Sequence, residues 1–436
     1  MSRPRTRAPL NVYLNGRLVG RLQRESSGAI DFQYDIDWLN WENAIPVSIS
    51  LPLREDRYIG DPVFAVFENL LPDNDAIRKR VAERSHADGA DAYSLLTAIG
   101  RDCVGALQFI PEGVEPGKAG DIDARPVNAS EIARIVRDLA RNPLGIGDDK
   151  EFRISLAGAQ EKTALLYWKD KWYVPHGTTA TTHIIKPQIG KLPNGVDLTN
   201  SVENEYLCLE LAAATGLPVA ASKIIDFDGT RVLAIERFDR TWTRDSRLLR
   251  LPQEDCCQAL SIPPTRKYES DGGPGVRDVS ELLKGSDAPE EDQKTFFKAQ
   301  VVFWLLGATD GHAKNFSLRL APGGRFRLTP LYDIISTQPN LDAGQIDQNR
   351  AKMAMAVGKK RNYVVHTIVG RHFVQTGSLC GLPDRMVEET MEELIAGAEN
   401  SFLKVLSALP NDFPQQMASS IVDAARHRLD LLKTPK

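Results

Sequence analysis

The sequence has few of the residues that staple a chain or carry it through a membrane. It holds only five cysteines: Cys103, Cys208, Cys256, Cys257 and Cys380. The count is odd, two are adjacent and no C-x-x-C occurs. They make neither a disulfide framework nor a zinc signature, and they suit a reducing cytosol. The seven histidines are scattered, with no H-x-x-x-H pair. No long apolar run is present. The most hydrophobic stretch, FFKAQVVFWLLGA, is short and interrupted by Lys298 and Gln300, so it predicts a core helix and not a membrane span. The basic start, MSRPRTRAPL, is followed by no apolar segment, unlike a signal peptide, and a cytoplasmic location is expected. Positive charge is not in excess either. Lys and Arg number 54 against 58 Asp and Glu, a net charge of −4. That argues against a dedicated nucleic-acid binder while leaving room for a local basic patch. Internal repeats and long low-complexity segments are also missing. What is there is an ordinary globular composition, 42% hydrophobic and 26% charged over 436 residues. Such a length predicts two or three domains that need no staple.

The first part reads as β-rich. Asn15-Gly16 in NVYLNGRLVGRL is a strong two-residue hairpin signal. AIDFQYD and NAIPVSISLPL are expected to add strands. LPDNDAIRKRVAERS predicts a helix capped by Asp73 or Asn74, and GALQFIPEG a closing strand. Residues 112–128, rich in Gly, Pro and Asp, read as a linker. NASEIARIVRDLARNP is a helix with Asn128 and Glu131 spaced as a capping box. A second β-rich unit follows. EFRISL and TALLYW are strands around the loop AGAQEK, WYVP lies beyond a turn, and THIIKP carries Lys186. SVENEYLCLELAAATGL is a helix closed by Gly216, and two strands flank Asp228-Gly229. Beyond Arg240 the pattern turns helical, with EEDQKTFFKAQVVFWLLGA and helices over 384–409 and 414–433.

The chemistry concentrates after the apolar helix. In GATDGHAKNFSL, Asp310 precedes Asn315 by five positions. FSLRL, APGGR and FRLTPLYD then read as a hairpin that returns Asp333 toward Asn315. This Asp-x-x-x-x-Asn and hairpin Asp layout is that of phosphoryl transfer. One carboxylate meets the attacking hydroxyl, while a carboxylate and an amide oxygen hold Mg²⁺, a cation that prefers oxygen ligands. Asp310 would be the base, and Asn315 and Asp333 the metal ligands. On spacing alone, the same residues would equally serve as a helix-ending turn and a cap. Upstream features weigh for chemistry. Lys186 sits on a short strand, where it could hold phosphates, with Glu203 or Glu205 on the next helix to orient it; a solvated strand-edge lysine is the plainer alternative. The loop AGAQEK holds a single glycine, and it could cover phosphates with its amides and Lys162. AIERFDR would join the lobes near Glu236 to Phe238. These features run in the order that a two-lobed kinase requires.

Taken together, ISLAGAQEKTALL, THIIKP, ENEYLCLELA, ERFDR, LPQEDCCQAL, YESDGGPG, GATDGHAKNFSL and LTPLYDIIS resemble the HipA family, the kinase toxins of bacterial HipBA toxin–antitoxin modules. The resemblance spans nearly the whole chain, including FENLLPDN…IRKR. It implies an α+β, two-lobed, protein-kinase-like fold: a HipA-type β-rich subdomain over residues 1–125, the core of the N-terminal lobe over 126–240 and an α-helical C-terminal lobe over 241–436. It implies an ATP- and Mg²⁺-dependent protein serine/threonine kinase and a helix-turn-helix HipB-type antitoxin dimer as partner. The implied substrate is a translation protein such as glutamyl-tRNA synthetase, and inhibition of growth and persistence would follow. Mapped residue by residue, the ATP loop is Ala157, Gly158, Ala159, Gln160, Glu161 and Lys162. The phosphate lysine is Lys186, and the hinge is Glu236, Arg237 and Phe238. Gln253, His312 and Lys314 fall on the nucleotide side, and the autophosphorylated serine maps onto Ser155. A phosphate there would repel a loop meant to hold phosphates. The basic residues through which relatives touch DNA reduce to Arg385, so operator DNA would be reached mainly through the antitoxin. A small-molecule phosphotransferase and a catalytically weak corepressor are the competing expectations.

Overall fold

A computed structural model describes residues 9–146 and 153–433. The described residues form two compact units. The first takes the chain up to Pro187 together with Ile225–Thr265 and Leu318–Phe326. The second takes Gln188–Ile224, Arg266–Ser317 and the described residues from Arg327 onward.

The first unit contains two large sheets, besides the hairpin of Arg240–Trp242 with Leu248–Arg250. One has five strands in the order Tyr58–Ile59, Ile30–Tyr34, Arg17–Arg24, Leu10–Leu14, Leu107–Pro111. Its first hairpin turns at Asn15 and Gly16, with φ of 46° and 80°, the left-handed pair that a tight hairpin demands. The other has six strands in the order Ser222–Phe227, Thr230–Glu236, His183–Pro187, Thr163–Trp168, Lys171–Pro175, Ala124–Val127. A single hydrophobic core joins the two sheets, running from Leu10, Val12 and Phe32 through Phe67 and Phe109 to Ile154, Leu165, Ile185 and Val232.

Three sequence expectations fail here. NAIPVSISLPL is not a strand: only Ser48 and Leu51 form an isolated bridge. Its polar groups turn sideways, and Ser50 Oγ donates to Gln258 O at 2.8 Å. The linker over 112–128 is not all linker, because Ala124–Val127 pairs with Lys171–Pro175 as an edge strand. In EFRISL, Glu151 and Phe152 lie outside the described residues, and the rest bridges the chain only between Ile154 and Asp102. Two helices of this unit, Asp61–Glu68 and Ala92–Ile99, were not anticipated.

The second unit is mainly helical, with long helices Ser201–Ala214, Pro289–Leu306, Asp384–Ala408 and Gln415–Leu432. Pro289–Leu306 is buried on nearly every side beyond its first turn, which is why its last six residues are apolar without a break. It also contains an unforeseen hairpin, Lys352–Val357 with Asn362–Val364. Among the described residues, no helix is long and apolar enough to cross a membrane.

Candidate active site

The loop 307–316 takes its shape from the helix before it. Gly307 ends Pro289–Leu306 in the left-handed conformation, φ 66°. Its amide donates to Trp304 O at 3.1 Å and that of Ala308 to Phe303 O at 2.8 Å, the paired bonds of a Schellman end. Gly311 follows because nothing larger fits: a Cβ there would lie 2.5 Å from the Phe303 ring. Phe316 closes the loop by packing on Phe303 and Phe296, at 5.7 and 4.8 Å between centroids. Between these anchors the side chain of Asp310 is 59% exposed. His312, Lys314 and Asn315 are buried. The Asn315 side-chain amide donates to Asp310 O at 2.7 Å. That bond fixes the amide so that its oxygen is the atom available as a hard ligand.

Asp333 belongs to the same unit. The hairpin strand ends at Leu328, five residues short of Asp333, so FRLTPLYD is only partly a strand. Asp333 is held instead by its neighbours. Leu331 exchanges backbone hydrogen bonds with Pro218 and Ala220. The Tyr332 hydroxyl donates to Lys314 O at 3.0 Å and lies 2.6 Å from Ser317 Oγ. Asn204 clamps Ser336 through both its backbone N–H and its carbonyl, at 2.8 Å each. Tyr332, just before Asp333, is thereby tied to the chain around Asn315, and Ser336 beyond it to the helix Ser201–Ala214. Asp333 itself adopts φ 59°, a conformation that few non-glycine residues take and that concentrates at functional sites.

Of the remaining candidates, Glu203 and Glu205 are buried on the helix Ser201–Ala214 of the second unit, and the others lie in the first unit. Lys186 occupies the central strand His183–Pro187, opposite Leu233, and is 5% exposed. It is not the solvated edge lysine that the sequence allowed. An amine taken from water needs a partner in place. In the loop Ala157–Lys162, Gly158 has φ 102°, and a Cβ on it would stand 2.6 Å from Lys162 Nζ. Lys162 is buried and donates to Ala157 O at 2.7 Å. Gln160 reaches Pro187 O at 3.3 Å and Glu161 pairs with Arg80 at 3.1 Å, while Ala159 is exposed. The loop is pinned from the N-terminal segment as well, by the Asp73 amide on Gly158 O at 3.1 Å. Ser155 is wholly buried. Its Oγ donates to Leu70 O at 2.8 Å and its amide to Asp102 O at 2.9 Å.

Glu236 is exposed at the end of its strand and Phe238 half-buried. Arg237 has a structural role: its amide donates to Thr182 O and its guanidinium is buried against Asp239 and Asp102. Arg240 and Arg250 join the same cluster. Burial raises the Asp102 carboxyl, but the three guanidiniums outweigh it and hold it well below the usual carboxylate range. Nothing in the sequence marks Asp102, which lies more than a hundred positions from these arginines. Gln253 sits on the short strand Gln253–Asp255, and its side-chain oxygen is buried with no hydrogen bond among the described residues. Such an orphan acceptor fits a site whose donor arrives with a ligand.

The fold class is α+β, two-lobed and kinase-like, and the loop 307–316 lies in the helical unit. A solved structure of HipA from Shewanella oneidensis, described as a complex of HipA, HipB and operator DNA, superposes with a TM-score of 0.80 at 24% identity, covering 97% of this chain and 98% of that one. The HipA-like C-terminal domain matches residues 154–402, and the HipA N-terminal domain residues 10–110. Among curated relatives, "Putative kinase Y4mE" of Sinorhizobium fredii is 35% identical over 94% of this chain and 96% of its own. "Serine/threonine-protein kinase toxin HipA" of Shewanella oneidensis is 27% identical over 92% and 90%. The chain belongs to the HipA family.

Proposed function

We propose that this protein is an ATP- and Mg²⁺-dependent protein serine/threonine kinase acting as the toxin of a type II toxin–antitoxin module. The observation that carries the reading is the bracing of Asp310, Asn315 and Asp333 in one unit, with the Tyr332 hydroxyl on Lys314 O. Asp310 accepts the proton of the acceptor hydroxyl as that oxygen bonds to the γ-phosphorus and the bond to ADP breaks. Asn315 and Asp333 would hold Mg²⁺; one amide oxygen and one carboxylate suit an ion that keeps waters and phosphate oxygens around itself. Neutralising charge on the transferring phosphates is what the metal supplies when bound. Lys186 and Lys162 hold phosphates, with Ala157 to Lys162 as the covering loop. Gln253, His312, Lys314 and the segment Glu236 to Phe238 line the nucleotide side.

The partner is a HipB-type helix-turn-helix antitoxin dimer; the Shewanella structure, described as a complex of HipA, HipB and operator DNA, supports a partner of that kind. Operator DNA is reached mainly through it: Arg385 is exposed but paired with Glu389 at 2.7 Å. The acceptor is a translation protein of the glutamyl-tRNA synthetase type. Ser155 is the self-modification site. Its buried hydroxyl means that the loop must leave Leu70 and Asp102 before Ser155 can be phosphorylated, and a phosphate of nearly two charges then opposes its return.

Radiolabelled ATP with the purified full chain and a cell lysate tests the reading. Label is expected in protein, and by intact mass the chain should gain a phosphate that the Ser155→Ala variant does not gain. Asp310→Ala should abolish transfer, and Asp333→Ala should also weaken Mg²⁺-dependent ATP binding. Undiminished transfer in both variants would refute the site. Label found only in small molecules would make this a small-molecule phosphotransferase.

A further inference from the structure

A tyrosine outside the catalytic loop holds the proposed base. The hydroxyl of Tyr268 donates to Asp310 Oδ1 at 2.6 Å. Its ring packs edge-on against the His312 imidazole, at 4.9 Å between centroids and 81° between planes. Both contacts lie inside the second unit. Asp310 needs such a contact: a carboxylate 59% exposed is not locked into one rotamer by packing.

The segment carrying Tyr268 is built to be stiff. The turn Glu269–Asp271 ends at Gly272 with φ 83°. The Gly273 amide returns to Tyr268 O at 2.9 Å. A Cβ on Gly273 would meet Arg266 O at 1.9 Å and Tyr268 O at 2.7 Å, so only glycine closes this turn. Glu269 anchors the turn to the hairpin Lys352–Val357 and Asn362–Val364. Its carboxylate accepts from the Ala356 amide at 2.5 Å and pairs with Arg361 at 2.9 Å. Gly275 passes so close that a Cβ would stand 2.6 Å from the Glu269 carboxyl carbon. The phenol therefore meets Asp310 from a braced frame and not from a wandering loop.

We propose that Tyr268 is a positioning residue for phosphoryl transfer. It ties down Oδ1 of Asp310 and so presents Oδ2 to the acceptor hydroxyl. Tyr268 itself exchanges no proton with the substrate. The proposal rests on the kinase reading, in which Asp310 is the base. It assigns a task to the YESDGGPG segment, which holds one oxygen of that base from 42 positions upstream.

The test is the Tyr268→Phe variant of the full chain, which keeps the ring against His312 and removes only the donor. Transfer from radiolabelled ATP to a fixed amount of lysate protein is followed at varied ATP. The maximal rate should fall roughly ten- to a hundred-fold, the kinetic worth of one hydrogen bond to a charged group. KM for ATP and the melting temperature should stay unchanged. A merely structural tyrosine would leave the rate alone once the ring is kept. An unchanged maximal rate, or a loss confined to KM for ATP, would overturn the proposal. Asp310→Ala run in parallel separates the two layers. If it still transfers phosphate, the kinase reading fails. If it is inactive while Tyr268→Phe matches the wild type, only the positioning role fails.

Discussion

At the scale of single residues, Glu254 is the clearest conflict between burial and charge. It is fully buried beside Gln253. One carboxyl oxygen accepts from the Ile49 amide at 2.7 Å, and the other has no hydrogen bond among the described residues. Desolvation dominates and pushes its pKa from 4.5 to about 8, against the lowering pull of the Ser48 and Ile49 hydrogen bonds. The folded protein therefore keeps this proton at pH values where the unfolded chain has released it. The unfolded state binds fewer protons across that window, so stability falls as pH rises from 4.5 to about 8. Glu254→Gln carries a neutral amide and removes the term. Urea midpoints followed against pH should fall less steeply for Glu254→Gln than for the wild type between those limits. Parallel curves would mean that Glu254 is ionised in the fold. The same logic separates Glu254 from Asp102, equally buried yet ionised, because Asp102 faces three guanidiniums while Glu254 lies against Ser48, the Ile49 amide and the Asp255 carboxyl.

At the scale of elements, the loop 307–316 is shaped by its glycines. The Cβ of Gly311→Ala would be driven into the Phe303 ring, already in stacked contact with Phe316. Overpacking of this kind costs about 1–3 kcal/mol, and the loop is the softer party. The expected outcome is a modest drop in melting temperature and a loss of phosphoryl transfer of about 100-fold, measured where the variant is still folded, because small displacements at a reacting centre are costly. A variant as active as the wild type would show that the loop tolerates displacement. Elements with local signals were legible beforehand. The Asp228-Gly229 turn has φ of 49° and 76°, and the capping box of Asn128 and Glu131 is present. The apolar helix ends where its pattern ends, at Leu306. Elements buried on several sides were not legible. DPVFAVFE is a helix whose residues from Val63 on are buried almost without a break, so its β-branched and aromatic content shows no 3.6-residue period. KMAMAV is a strand buried along five consecutive positions and loses its alternation for the same reason. Asp310, Asn315 and Asp333 could be picked out by residue type and order. Tyr268 could not, since its meaning depends on a contact between distant turns.

At the scale of the whole molecule, the N-terminal segment is part of the first unit's core. Phe67 and Phe109 pack in the same cluster as Ile154, Leu165 and Ile185. The ATP-loop candidates hang on it through Ser155 to Leu70 and Gly158 to Asp73. The Gln253–Asp255 strand and the helix Cys256–Ala259 are gripped by Ile49 and Ser50, and the chain just beyond, at Ile262, by Asn69. A defect placed far from Lys186 and Gln253 should therefore be felt by the strands that carry them. Ile99→Val is a mild version, because Ile99 is fully buried in the N-terminal segment and losing one methyl costs about 1 kcal/mol. If residues 10–110 and the second sheet unfold as one cooperative body, amide exchange should speed up about five-fold in both Leu10–Leu14 and Thr163–Trp168, measured where exchange goes through global opening. The factor is the Boltzmann weight of that cost. Faster exchange in Leu10–Leu14 alone would make the N-terminal segment a separately folding module. In that case the ties at Ser155 and Gly158 would be contacts between neighbours, and the loop Ala157–Lys162 would keep its place whenever the N-terminal segment opened.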